Sequence, residues 1–130
     1  MLFIGIDLHK DSMTVAVLDE AGDTVDLKVI PTKCNIKIRN YFSALVQPFQ
    51  VAVEAVGFYH WLWDLFTELD VDAYLADPRE VRARRSIKRA KTDRKDAVLL
   101  AELLRRGEIP AVYVPNLKES CLLYTSDAAD

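Results

Sequence analysis

In the octapeptide AKTDRKDA, residues 90–97, Asp93 and Asp96 stand three positions apart among basic residues, just before the apolar run Val98, Leu99, Leu100. Two chemistries suit that spacing. A carboxylate at a helix start and a second in the first turn form an acidic variant of the capping box and complement the positive end of the helix dipole. The same pair also supplies hard oxygen donors for a divalent cation. On a helical wheel at about 100° per residue, Ala97, Leu100 and Leu104 share one face, with the two aspartates near its middle and edge. Lys95, Glu102 and Arg106 lie opposite. The acids thus extend the core-facing stripe, where a merely solubilising charge is out of place, and capping and cation binding can coexist.

Two more acids sit where a strand would deliver them. Asp7 follows the apolar run LFIGI, and Glu54 follows VAV. A single acid in such a place only marks a strand's exit. Two on adjacent parallel strands repel each other unless a cation or a proton compensates. Four acids facing one spot suit two Mg2+ ions and in-line attack on a phosphodiester, the metals stabilising the attacking and leaving oxygens. Asp7, Glu54, Asp93 and Asp96 are therefore the candidate catalytic and metal-ligating residues.

The charge distribution adds a partner class. The whole chain carries −3, yet residues 79–95 hold nine basic residues and two acids, a local excess of +7. Such a strip is the footprint of a phosphate-backbone binder, or simply a solvated face. Its candidate contacts are Arg82, Arg84, Arg85, Lys88, Arg89, Lys91, Arg94 and Lys95. His9 and Lys10 stand beside the first strand and could also reach phosphate, although loop polarity explains them equally. Trp61 and Trp63 could stack bases, but Trp61 falls in a helical apolar stripe and reads as core.

The elements that would position these residues can be traced in the pattern. Residues 2–6 and 13–18 are β-branched apolar runs, and residues 24–30 alternate Val25, Leu27 and Val29 with Asp26 and Lys28, as an edge strand with one wet face would. Pro31 is expected to end that strand. Ile38, Phe42 and Leu45 take helical spacing before Pro48, residues 51–53 form a short buried strand, and Trp61, Leu62, Leu65, Phe66 and Leu69 stripe a second helix. Residues 73–76 form a further strand before Asp77-Pro78, and a basic helical segment leads to the helix that ends at Arg106, ahead of Gly107 and a final extended piece, residues 111–114. The order β-β-β-α-β-α-β-α calls for an α/β mixed sheet covered by helices, with function at the carboxyl ends of its parallel strands.

Composition narrows the classes further. With 130 residues, 51% hydrophobic and 28% charged, the chain suits one globular core. No apolar run approaches the ~20 residues that cross a bilayer, and an acid interrupts the N-terminal run where a signal peptide would continue. No membrane association and a cytoplasmic location are expected. Cys34 and Cys121 are not at metal-ligand or redox-motif spacing, and neither cysteine nor His9 or His60 suggests a zinc site.

GIDLHKDSMTVAVLD, VAVEAVGFYHWLWDLF, KRAKTDRKDAVLLAELLRRGEIP and the closing VYVP resemble, in order and spacing, the N-terminal domain of the insertion-sequence one-hundred-and-ten family of bacterial transposases. The resemblance spans residues 1–118 and rests on the combination of motifs. It implies a RuvC-like domain with an RNase H fold and a DEDD metal site, carried by motif onto Asp7, Glu54, Asp93 and Asp96. It further implies a site-specific DNA recombinase for DNA transposition, guided by a structured noncoding RNA and acting as a homo-oligomer. A second domain with a serine nucleophile is implied as well, and neither Ser86 nor Ser120 suits that role. The 1–118 domain alone is thus expected to be incompetent for full strand exchange. Val56 departs from the family, which usually has a small hydroxyl residue in EATG. Residues 121–130, CLLYTSDAAD, resemble the translation of a transposon-based sequencing adapter, so residues 119–130 are expected to be a truncated end without biological role.

Two other readings stay open. One is a non-catalytic nucleic-acid-binding module whose acids merely cap and punctuate. The other starts from GIDLHK, which looks like the first phosphate loop of actin-like ATPases and sugar kinases. His9 stands where those usually have Gly, and no later Gly-rich loop follows.

Overall fold

The computed structural model describes residues 1–54, 59–84 and 93–112, with the side chains of residues 93, 94 and 112 excepted. Chain order is β1 (Leu2–Leu8), β2 (Ser12–Leu18), β3 (Thr24–Pro31), α1 (Asn35–Ala44), β4 (Phe49–Glu54), α2 (His60–Glu68), β5 (Asp72–Ala76), α3 (Pro78–Ala83), α4 (Asp93–Arg105) and β6 (Ala111–Val112). The six strands form one mixed sheet in the order β3-β2-β1-β4-β5-β6. β1, β2 and β3 make an antiparallel meander, β4 and β5 join parallel to β1, and β6 closes antiparallel on β5. This is the mixed α/β architecture expected of an RNase H-like fold, with the short α3 and β6 as elements in their own right.

The central strands are apolar throughout because helices cover both of their faces. Ile4, Ile6 and Leu8 of β1 pack with Met13, Val15, Val17, Val51 and Val53 against Ile38 and Phe42 of α1 and Leu62, Leu65 and Phe66 of α2. Phe42 and Phe66 meet edge to face with ring centroids 5.1 Å apart, a geometry that adds to their burial. On the opposite face Ala52 and Ala76 are small, and Val81 of α3 with Leu100 and Leu104 of α4 fills the space above them.

Gly5 explains why α4 lies so close. A Cβ at that position would fall 1.9 Å from the Ala97 carbonyl oxygen and 2.6 Å from the Ala101 amide nitrogen, both backbone atoms. Only glycine lets the helix backbone rest on the strand. At the other end of α4, Arg105 Nη1 donates to the Glu20 carbonyl, 3.4 Å away, in the β2–β3 turn. That turn adjoins the start of β1, since Phe3 pairs with Leu18. α4 therefore runs antiparallel to β1, and its first turn overlies the carboxyl end of the strand.

Two expectations change. The apolar row Val25, Leu27 and Val29 was expected to be the buried face of β3, but these side chains are 53%, 39% and 56% exposed. α4 sits over β1, β2 and β4 and stops short of the outer strand, so only Ile30 of β3 is buried. The strand also includes Pro31, which pairs with Ser12 at the outer edge, where a missing N–H costs least. Trp61 packs half-buried against the core, as its place in the apolar stripe implies, and Trp63 is the more deeply buried of the two. Trp63 packs edge-on against Tyr59 and Phe66, which takes it out of reach of a nucleobase.

Candidate metal and nucleic-acid site

Strand register brings the first two acids level. Ile6 pairs with Val53 in the parallel β1–β4 ladder, so Asp7 and Glu54 come next on neighbouring strands. Side chains alternate across a sheet. Asp7 thus shares a face with Gly5, and Glu54 shares it with Ala52, which is the face covered by α4. α4 brings Asp96 to the same end, in the turn before the Ala97 contact with Gly5.

Asp7 is 7% exposed and Asp96 is 4% exposed, while Glu54 is half-buried. Removing carboxylates from water is costly unless hydrogen bonds or positive charge compensate. His9 Nε2 lies 2.9 Å from Asp7 Oδ2. An ionised carboxylate has no proton to give, so the imidazole donates. Thr14, 3% exposed, stands directly across from Asp7 on β2 and adds a buried hydroxyl beside it.

Among the described residues α4 begins at Asp93, next to residues 91–92, which lie outside them. The Asp93 side chain lies outside the described set. Among the described residues, no three His, Cys, Asp or Glu side chains are gathered closely enough to hold a metal ion. The acids fit a hard divalent cation in donor chemistry, in burial and in their common end of the sheet. The described side chains do not close a cage around one.

Part of the basic strip is described. Arg82, Arg84 and Lys95 are exposed at the end of α3 and in the first turns of α4. Arg84 Nη1 is held 3.3 Å from Glu80 Oε2 and donates to the Glu80 carbonyl at 2.9 Å, so its charge is partly committed. Arg85, Lys88, Arg89 and Lys91 lie outside the described residues, as do Val56, Ser86, Ser120 and the whole of residues 113–130, and the Arg94 side chain is likewise not described. A groove of about 540 Å³ between β3 and α1, lined by Lys28, Val29, Tyr41 and Leu45 among others, opens on the α1 side of the sheet, away from the acids. Among the described residues no helix is long and apolar enough to cross a membrane.

Residues 4–122 match the model of a family described as transposase, the DEDD transposases of insertion-sequence one-hundred-and-ten elements. The chain belongs to that family. No curated protein matches it. Membership carries a transposase-type function and, with it, interaction with DNA.

Sequence reasoning singled out the acids by their places at element ends, and the structure puts Asp7, Glu54 and Asp96 at one end of one sheet face. That reasoning undervalued His9, whose contact with Asp7 needed coordinates. It passed over Thr14, whose signal was a lone hydroxyl inside the β-branched run MTVAVL.

Proposed function

We propose that this chain is the divalent-metal-binding, DNA-contacting domain of a DEDD transposase, with Asp7, Glu54, Asp93 and Asp96 as the ligand set. The observation that carries the reading is the burial of Asp7 and Asp96 at one end of one sheet face, where Glu54 also arrives. Bound there, one or two Mg2+ ions would polarise a phosphodiester and stabilise charge on its oxygens. The protein's own part is placement. β1 and β4 fix Asp7 and Glu54 on rigid central strands, His9 holds one oxygen of Asp7, and Gly5 lets α4 bring Asp96 down to them. Arg82, Lys95 and the remaining basic residues would hold the nucleic-acid backbone without reading its sequence. A structured noncoding RNA as guide and a homo-oligomeric assembly belong to the same reading, supported by the family resemblance.

Calorimetric titration of Mg2+ or Mn2+ into the chain tests it. Binding is expected in the parent and expected to be lost in Asp7→Asn and Asp96→Asn variants that melt normally. Equal binding in all three would reject the metal site.

The rival reading is a non-catalytic nucleic-acid module whose acids merely cap and punctuate. DNA binding that is strongly salt-dependent but indifferent to EDTA and to loss of all four acids would select that rival.

A further inference from the structure

We infer that the stacked rings of Tyr59 and His60, at the start of α2, form a platform for one unpaired nucleobase of the DNA strand. The inference rests on the DNA-contacting reading above and names a residue for it, but it needs no bound metal.

Topology places the pair. α2 leaves the carboxyl end of β4 and returns to the amino end of β5, which lies parallel to β4. His60, the first residue of α2, therefore stands at the end of the sheet that holds Asp7 and Glu54. It follows Glu54 by six residues, a length of chain that reaches at most about 20 Å. A nucleic-acid strand lying across the acids can thus reach it.

The rings are already held in place. The Tyr59 and His60 centroids lie 4.2 Å apart, with the ring planes 30° from parallel. Tyr59 packs against the core and meets Trp63 edge to face at 6.0 Å, and Trp63 meets Phe66 in turn at 6.2 Å. His60 itself is exposed. One face of its ring lies on Tyr59, and among the described residues no second ring, hydrogen bond or ion pair engages it. A ring fixed from behind loses little freedom when a ligand settles on its open face. Bases stack on such faces whatever their identity, imidazole included. The stacking that the sequence offered to Trp61 and Trp63 falls to their neighbour.

Charge decides between base and backbone. Asp64 is exposed one turn on from His60 along the same side of α2, and a carboxylate there repels phosphate. The described basic contacts Arg82 and Lys95 lie on other elements, α3 and α4. The uncharged, planar base is the part of a nucleotide that suits His60. Within a duplex both faces of a base are already stacked, so the ligand is an unpaired base, such as a strand opened for cleavage exposes.

Fluorescence anisotropy of the full chain in EDTA tests the proposal with two single strands of equal length, oligothymidylate and the same backbone with an abasic sugar in place of every nucleoside. EDTA keeps the acids free of metal, so failure here is separate from failure of the metal site. The parent is expected to bind the base-bearing strand roughly fivefold more tightly or better. His60→Ala should remove that advantage and leave the affinity for the abasic strand unchanged. His60→Phe, which keeps a ring, should retain the advantage, and thermal melts check that both variants are folded. A parent that binds both strands equally, an advantage that survives His60→Ala, or a His60→Phe variant no better than His60→Ala would overturn the proposal. A parent that binds neither strand would overturn the DNA-contacting reading beneath it as well.

Discussion

Gly5 is the residue on which the spacing of the molecule turns. Its hydrogen faces the backbone of α4, and the first atom of any side chain would overlap the Ala97 carbonyl. Overpacking of a tight core typically costs about 1–3 kcal/mol. Gly5→Ala meets rigid backbone rather than a side chain that can swing aside, so about 3 kcal/mol is expected, measured as a lowered denaturant midpoint with an unchanged slope. Lifting α4 would also carry Asp96 away from Asp7, and divalent-metal binding should weaken in proportion. The sequence did not announce this role. In LFIGI the glycine reads only as one residue of an apolar strand, whereas its work is to admit a helix. Asp7, two residues on, was legible because a charged residue ending an apolar strand is conspicuous. The bond from His9 was not, because a loop histidine looks the same whether it faces solvent or a carboxylate.

At the scale of elements, α4 is the part best read from sequence, since its apolar periodicity and the inward place of Asp96 agree with each other. Asp96 and Leu100 are both buried, as the wheel requires, while Lys95 and Arg106 are exposed. β3 was misread for an equally physical reason. Alternation of apolar and polar residues says which side chains share a face, and says nothing about whether a helix is wide enough to cover it. The far end of α4 is pinned by Glu102, which accepts from Arg105 Nε at 3.1 Å and from Arg106 Nε at 2.8 Å. Hydrogen bonding from Arg105, reinforced by Arg106 and opposed by burial, holds the Glu102 carboxyl below its ordinary value of 4.5. A carboxyl depressed in the folded state contributes stability that is present above its unfolded value and lost as pH falls through the folded one. Glu102→Gln should therefore lower the melting temperature at neutral pH, and the gap between variant and parent should narrow as pH falls below 4.5 and close once the depressed carboxyl is protonated.

For the whole molecule, the charge map leads to a solution property. The excess of +7 within residues 79–95 is set against a chain of net −3, and of this strip the described Arg82 and Arg84 are exposed at the end of α3 and Lys95 in the first turns of α4. Neutralising Arg82 and Lys95 together is expected to lower the magnitude of the salt slope of DNA binding by about one for each phosphate that either side chain neutralises, uniformly across DNA sequences. Fluorescence anisotropy at several salt concentrations would measure it, and a slope unchanged by both substitutions would exclude these two residues from the interface. The antiparallel lay of α4 has a temporal meaning as well. Asp7 belongs to β1 and Asp96 to α4, which leaves the ribosome well after it, and only the docking of that helix over Gly5 brings them to one place. Whatever chemistry the acids perform, the emerging chain cannot perform it. The fold itself delays the site until the sheet is complete, and a cation bound by both acids would in turn latch α4 shut.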